Sequence, residues 1–265
     1  MITVTVCSAK GGVGKTSVTL GLASAALHRS LSTLVVDLDP QADATSGLDV
    51  TAQRAHDVAA VLRTPKRRVA ESAVAPSGWV DDHPGLLDVV SGSAASAGLD
   101  APDPQEADLE GLRRALRKLD DHQLALLDCP PSLGGLTRSA WRASDAVVVV
   151  SDASRFSVAA VGRTLDEIAA LRSGPRVAGV LVNRYSPRSG EQRFRLEELR
   201  SLFGDLVLEP LPDRVAVPQS QGAGKPLHAL RPVAARRVAE QFDRLLDVVL
   251  DQRARPRTRP SGHGG

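Results

Sequence analysis

Short, almost wholly apolar runs alternate with longer stretches of helical periodicity along most of this chain. The apolar runs lie at 2–7, 33–36, 86–90, 124–127, 146–150 and 177–182. Near-continuous Val and Leu, without polar alternation, are typical of strands buried on both faces of a sheet. Candidate helices are Lys15–Arg29, Glu106–Leu119, Gly134–Ala143, Ser157–Leu171, Glu191–Phe203 and Ala234–Asp251. The alternation predicts an α/β fold, a mostly parallel doubly wound sheet flanked by helices.

The pattern is least regular between Thr51 and Pro104. There the run at 86–90 predicts an extra strand, and Ser91–Pro104, rich in Ser, Ala, Gly and Pro, predicts a loop. A chain of 265 residues is long enough to bury one large core. We expect a single domain over residues 1–252, followed by a disordered basic tail at 253–265.

A glycine-rich turn joins the first apolar run to the first candidate helix. Residues 10–16 read Lys-Gly-Gly-Val-Gly-Lys-Thr. Glycines let successive backbone N–H groups point at a phosphate, and the positive end of the following helix faces the same anion. Lys15 supplies charge to the β- and γ-phosphates, and the Thr16 hydroxyl is placed to ligate Mg²⁺. The predicted nucleotide-binding loop comprises Gly11, Gly12, Val13, Gly14, Lys15, Thr16 and Ser17, with Ala9 in place of the usual first glycine.

Two other apolar runs end in carboxylates. Asp37 and Asp39 follow the run at 33–36, and Asp128 follows the run at 124–127. Carboxylates at strand ends beside a phosphate loop support Mg²⁺ or orient the attacking water. Together with Thr16, we expect Asp37 and Asp128 near the metal. An Asp-Pro pair also ends strands without any further role, but the neighbouring phosphate loop favours the functional interpretation of Asp39.

The phosphate loop carries a second lysine, Lys10, which the ordinary pattern does not require. Two lysines flanking Gly-Gly-Val-Gly resemble the deviant Walker A motif of the ParA/MinD family of ATPases. Asp-Leu-Asp-Pro-Gln at 37–41 resembles the Walker A′ motif, and Asp-Cys-Pro-Pro-Ser at 128–132 resembles Walker B. These last two motifs are similar to the ParA branch rather than the MinD branch. The resemblance runs from about residue 2 to about residue 250.

The resemblance implies catalytic roles for Lys10, Lys15 and Asp39, with ATP and Mg²⁺ as cofactors. Lys10 would reach the nucleotide of a partner subunit in a homodimer, and Asp39 would position water. Asn183 would read the adenine edge, although an Asn-Arg pair also simply opens a turn. Pro212 would begin a late loop that packs on the base.

Arginines recur through the last third of the chain, while the net charge is only +2 and the isoelectric point about 8.7. Aromatic residues make up 3%, which argues against stacking on single-stranded bases. Arginines without aromatics suit the phosphates of duplex DNA, and equally suit an ordinary arginine-rich surface. The ParA resemblance favours nonspecific double-stranded DNA as a partner. Its implied contacts are Arg184, Arg214, Arg231, Arg236 and Arg237.

The membrane alternative is weaker in this sequence. MinD proteins end in an amphipathic membrane helix, whereas the apolar stripe of 234–251 is typical of core packing, and 253–265 is broken by proline. No apolar run approaches the roughly 20 residues of a membrane span. Two distant cysteines, Cys7 and Cys129, fit a reducing compartment. The expected location is cytoplasmic, on the nucleoid.

The sequence therefore favours a DNA-partitioning ATPase. It would dimerise on ATP, bind DNA nonspecifically and be released by hydrolysis, which a ParB-like centromere-binding protein stimulates. The alternative is a MinD-like or cargo-positioning ATPase that acts on a membrane or a protein assembly.

Overall fold

A seven-stranded sheet forms the centre of the protein. The computed structural model describes residues 1–51, 54–80, 86–213 and 216–251. The strands of this part are β1 (Ile2–Cys7), β2 (Thr33–Asp37), β3 (Val74–Pro76), β4 (Leu87–Val90), β5 (Leu124–Asp128), β6 (Ala146–Ser151) and β7 (Arg176–Val182). Their order across the sheet is β3-β4-β2-β5-β1-β6-β7. All neighbours are parallel except β3, which pairs antiparallel with β4 at the edge.

Helices cover both faces of this sheet. Those in the described part are α1 (Lys15–His28), α2 (Asp43–Gly47), α3 (Val58–Arg63), α4 (Arg67–Ala73), α5 (Glu106–Leu116), α6 (Gly135–Ala143), α7 (Arg155–Ala170), α8 (Gly190–Phe203), α9 (Ala216–Gly222) and α10 (Val233–Leu250). None of the helices in the described ranges combines the length and apolar character that a membrane crossing requires.

Two hydrophobic cores lie on opposite faces of the sheet. Along β6, Val148 and Val150 belong to the core that contains α1 and α10, while Val147 and Val149 belong to the core that contains α5 to α8. Successive side chains of a strand point to opposite faces, so a wholly apolar run is required wherever both faces are covered. This arrangement confirms the predicted doubly wound α/β sheet.

Close packing fixes α1 against α10. A Cβ atom on Gly21 of α1 would lie 2.2 Å from the ring of Phe242 in α10, so only glycine fits at this crossing. Phe242 is 1% exposed. Since α1 begins in the phosphate loop, this contact also links the helix that follows the loop to α10.

The six predicted helices and six predicted strands are confirmed, with differences at their ends. The helix predicted at Ser157–Leu171 begins two residues earlier, at Arg155, and the one predicted to end at Leu119 ends at Leu116. The predicted loop Ser91–Pro104 is wrong in part, because a 3₁₀ helix spans Ala94–Leu99 and the Ser93 side chain caps it by accepting the N–H of Ala95. The predicted tail at 253–265 lies outside the described residues.

Candidate functional site: the phosphate loop and its supports

The phosphate loop lies between the carboxyl end of β1 and the first turn of α1. Gly12 and Gly14 have φ values of 75° and 91°, in the left-handed region that glycine enters without strain. Lys15 is the first residue of α1 and is only 6% exposed. The loop therefore has the backbone form predicted for anion binding, with a buried lysine at its base.

Asp128 lies at the end of β5 and receives two hydroxyl hydrogen bonds from α1. Thr16 Oγ1 donates to Oδ2 at 2.7 Å, and Thr19 Oγ1 donates to Oδ1 at 2.8 Å. Burial, reinforced by the nearby carboxylate of Asp37, raises the pKa of Asp128 to about 7. The predicted metal residues Thr16 and Asp128 are thus in direct contact.

Asp37 lies beside Asp128 on the neighbouring strand, where the two are register partners. Its Oδ2 atom accepts hydrogen bonds from the backbone N–H and the hydroxyl of Thr45, at 2.8 and 2.7 Å. Burial raises the pKa of Asp37 to about 6 despite these bonds. Asp37 therefore lies next to Asp128, as predicted for two residues near a metal, and also holds the turn into α2. In that turn, Asp39 is 9% exposed and accepts the N–H of Gln41 at 2.9 Å.

Lys10 is held within its own subunit by a cage at the start of α7. Its Nζ atom donates to both carboxylate oxygens of Asp152, at 2.9 and 2.7 Å, to Ser154 Oγ at 2.9 Å and to Ser157 Oγ at 3.1 Å. Partial burial disfavours the ionised carboxyl of Asp152, but the bonds from Lys10 and the two serines outweigh it and lower its pKa. Lys10 therefore points at the start of α7 in this subunit.

Asn183 and Arg184, which follow β7, both contact the phosphate loop. Asn183 Nδ2 donates to the carbonyl oxygen of Val13 at 2.8 Å, and Arg184 Nη1 donates to that of Gly12 at 3.1 Å. The ParA resemblance implied that Asn183 reads adenine, with a simple turn as the alternative, and that Arg184 contacts DNA. The sequence contained no signal for their contact with the loop. Pro212 lies farther along, where it pairs with Tyr185.

The predicted DNA arginines fall into separate places. Arg231, Arg236 and Arg237 are exposed at the start of α10, and the described residues offer none of them a carboxylate within ion-pair distance. Arg184 contacts the phosphate loop instead, and Arg214 lies outside the described residues. Arg237 lines a groove with Pro212 and Arg244.

Five supporting residues were missed by sequence reasoning. A hydroxyl one helical turn after Thr16, and an Asp followed by two serines after β6, are the signals that could have found most of them. Both cysteines are buried and free, as predicted, and Trp141 Nε1 lies 3.4 Å from the Cys7 sulfur. The missed residues are Thr19, Thr45, Asp152, Ser154 and Ser157.

Comparison with known proteins identifies the family. A family model described as an AAA domain matches residues 1–176. The chromosome-partitioning ATPase Soj of Thermus thermophilus is 35% identical over 242 residues, which cover 88% of this chain and 91% of Soj. The chromosome partitioning protein ParA of Caulobacter vibrioides is 30% identical over 232 residues, 84% of each chain. The chain belongs to the ParA/Soj family of partition ATPases.

Solved structures share the fold of this ParA-family ATPase. A variant of McdA from Cyanothece, solved in complex with ATP, superimposes with a TM-score of 0.80 over 94% of this chain and 96% of McdA. The sequence identity is 17%, so this likeness concerns the fold alone.

The residues of the site fit the family's cofactors, ATP and Mg²⁺. Mg²⁺ prefers oxygen ligands, and the Thr16 hydroxyl and Asp128 carboxylate stand side by side at the amino end of α1. The glycine-rich backbone and Lys15 suit the polyphosphate. The chemistry that this site supports is phosphoryl transfer to water, in which positioning and charge stabilisation dominate.

Proposed function

We propose that this protein is a DNA-partitioning ATPase that binds duplex DNA as an ATP-bound dimer and leaves it after hydrolysis. The observation that carries the proposal is the phosphate loop with its two lysines in a chain of the ParA/Soj family. A single ATPase domain over residues 1–252 performs the cycle on the nucleoid. A ParB-like centromere-binding protein stimulates the hydrolysis step, in keeping with the partition role of the relatives.

Each residue of the site has a distinct part in this cycle. Lys15 and the loop N–H groups hold the β- and γ-phosphates, and Ser17 follows them on α1. Thr16 and Asp128 hold Mg²⁺, which neutralises charge on the phosphates, with Asp37 beside them. Asp39 orients the attacking water from the turn before α2. The buried carboxylates suit the metal because a bound cation restores their ionised form.

Dimerisation requires Lys10 to exchange one set of partners for another. In the free subunit, the ammonium group is satisfied by Asp152, Ser154 and Ser157. To reach the phosphates of a partner's nucleotide, it must leave this cage. The cage therefore opposes dimerisation until two nucleotides supply stronger, more highly charged acceptors for the two lysines.

Replacing Asp152 with asparagine is expected to make ATP-dependent dimerisation easier. Lys10 and Asp152 are both about one-third exposed, at 32% and 33%, so the ion pair contributes about 0.2–1 kcal/mol. Because two such pairs break when one dimer forms, their loss lowers the dimer dissociation constant by up to about 30-fold. Sedimentation velocity with ATP, in an Asp39→Ala background that slows hydrolysis, measures this constant.

Asp166→Asn is the matched control for this experiment, because Asp166 is an exposed acid on the same helix, α7. It should leave dimerisation unchanged. A weaker dimer in the Asp152→Asn variant would contradict the claim that the cage opposes dimerisation, because the Asp152 carboxylate would then stabilise the dimer.

The DNA-binding surface proposed here centres on the amino-terminal part of α10. Arg231, Arg236 and Arg237 are exposed. By contrast, Arg195 on α8 is engaged by Glu191 and Glu198. Arginines without acidic neighbours are available to phosphates, whereas paired arginines must first give up their partners.

The double substitution Arg236→Ala and Arg237→Ala is expected to weaken binding to duplex DNA of every sequence tested. If each contacts one phosphate, the slope of log affinity against log salt falls by about 0.9 per arginine, or about 1.8 per subunit. Fluorescence anisotropy with random duplex DNA, at saturating ATP and several salt concentrations, measures the slope.

Arg114→Ala with Arg117→Ala removes the same charge from exposed positions around α5, which packs in the core on the opposite face of the sheet. This control should keep the wild-type slope. Equal losses in both double variants would refute the proposed surface, because they would reflect net charge alone.

A further inference from the structure

Two consecutive side chains after β7 hold two consecutive carbonyl groups of the phosphate loop. Asn183 Nδ2 donates to Val13 O at 2.8 Å, and Arg184 Nη1 donates to Gly12 O at 3.1 Å. Both bonds span about 170 positions of sequence, since the partners are 170 and 172 residues apart. The contact therefore joins the loop after β1 to the edge strand β7, which lies two strands away in the sheet.

The consequence for the loop follows from peptide geometry. In a trans peptide, the carbonyl and the N–H of the next residue point in opposite directions. Holding the carbonyl groups of Gly12 and Val13 from one side turns the N–H groups of Val13 and Gly14 to the other. These N–H groups belong to the part of a phosphate loop that binds the anion.

The packing at Gly14 shows how closely Asn183 approaches. A Cβ atom on Gly14 would lie 2.3 Å from Asn183 Nδ2, and φ of Gly14 is 91°. Asn183 is 8% exposed, and its own N–H donates to Ser151 O at 2.8 Å, which ties it to β6. The amide is thus a buried, fixed support for the loop.

Arg184 adopts an unusual backbone conformation at the same point. Its φ of 54° lies in the left-handed region, which costs a non-glycine residue free energy. The chain turns here directly after Asn183, and the turn sends the guanidinium group back to Gly12 O. Asparagine and arginine therefore reach adjacent peptides of the loop from adjacent positions.

We propose that Asn183 and Arg184 are positioning residues that orient the loop N–H groups for the polyphosphate. The proposal rests on the proposed ATPase function and deepens it. It gives both residues a role in phosphate affinity, whereas the ParA resemblance implied contacts with the base for Asn183 and with DNA for Arg184. Selectivity for adenine and affinity for DNA then depend on other residues.

Inorganic tripolyphosphate, ATP and GTP are the probes that separate these roles for Asn183. Asn183→Ala should lower the affinities for ATP and tripolyphosphate by a similar factor, about three- to ten-fold for one hydrogen bond to a neutral acceptor. The ratio of the ATP affinity to the GTP affinity should stay unchanged. Asn183→Asp, which has nearly the same shape but no N–H donor when ionised, should bind no better than the alanine variant. A changed ATP:GTP ratio with intact tripolyphosphate binding would overturn the proposal.

Arg184 is tested by measuring nucleotide and DNA affinity in the same variants. Arg184→Ala and Arg184→Gly should both lower the affinities for ATP and tripolyphosphate about three- to ten-fold. Arg184→Lys should lose less affinity, because lysine keeps a donor. At saturating ATP, DNA affinity should stay within about two-fold of wild type. Arg188→Ala, an exposed arginine in the same loop, is the matched control and should keep wild-type nucleotide affinity.

The outcomes distinguish the positioning role of Asn183 and Arg184 from the proposed ATPase function on which it rests. Failure of the wild-type protein to bind ATP would overturn both. Wild-type binding of ATP, with unchanged affinity in the Asn183 and Arg184 variants, would overturn only the positioning role. Lost DNA affinity in Arg184→Ala, with intact nucleotide affinity, would assign Arg184 to DNA and also overturn it.

Discussion

Replacing Lys15 with alanine is expected to abolish ATP binding at any nucleotide concentration used in routine assays. Lys15 is 6% exposed at the base of the loop, where it is placed to contact the phosphates directly. Hydrogen bonds to charged groups contribute about 1.5–3 kcal/mol each, and two such bonds to the β- and γ-phosphates correspond to at least about 100-fold in affinity. Titration with a fluorescent ATP analogue, followed by calorimetry, measures the loss.

Lys66→Ala is the control for this variant, because Lys66 is an exposed lysine before α4. It should bind ATP as the wild type does. Alanine suits the first turn of α1, so Lys15→Ala should keep its helical circular dichroism signal. Retained ATP affinity in a folded Lys15→Ala protein would show that the phosphate loop does not bind ATP in the proposed way.

Replacing Asp39 with alanine is expected to stop turnover while leaving nucleotide binding in place. A positioned carboxylate that assists proton transfer or orients water contributes about 10²–10⁴-fold to rate. The variant should therefore bind ATP, dimerise and accumulate on DNA, with kcat lower by at least about 100-fold. Phosphate release under saturating ATP and DNA measures kcat.

Asp39→Asn separates catalysis from loop structure. Asparagine keeps an oxygen that accepts the N–H of Gln41, as Asp39 does at 2.9 Å, but it lacks the negative charge. It should be as slow as the alanine variant. Asp43→Ala, which removes an exposed acid from α2, should turn over normally. Normal turnover in Asp39→Asn would show that the charge has no part in hydrolysis.

Much of the fold could be predicted because the sheet is buried on both faces. The run at 146–150 in β6 has no polar position, and this continuity is typical of a strand that is covered on both faces. By contrast, β3 has three residues and ends in Pro76, and α4 has seven residues without an apolar stripe of useful length. Such short elements form because of their neighbours, so local pattern contains little information about them.

The site shows the same division between local and long-range information. Lys15 and Thr16 could be predicted because they follow one another in a motif whose form the phosphate dictates. Asp152 was missed because its partner, Lys10, is 142 residues away and meets it only after β1 and β6 pair. Asn183 was noticed as a residue after a strand, but its contact with Val13 depends on the fold.

The cage around Lys10 gives the free subunit a defined resting state. Three acceptor side chains, from Asp152, Ser154 and Ser157 at one end of α7, hold the ammonium group of Lys10, although its side chain stays about one-third exposed at 32%. In the proposed cycle, the switch between the free subunit and the dimer depends on ATP, because the nucleotide brings a more negative set of acceptors for Lys10. This order would keep the apo protein off DNA.

ATP-dependent binding to random duplex DNA tests the central claim most directly. Fluorescence anisotropy would compare ATP, ADP and no nucleotide, each at two salt concentrations. The account predicts binding with ATP alone, and a steep loss of affinity as salt rises, by about 0.9 in the log–log slope for each phosphate neutralised. Absence of DNA binding in every nucleotide state would contradict the account. It would favour the alternative, in which the ATPase acts on a membrane or a protein assembly.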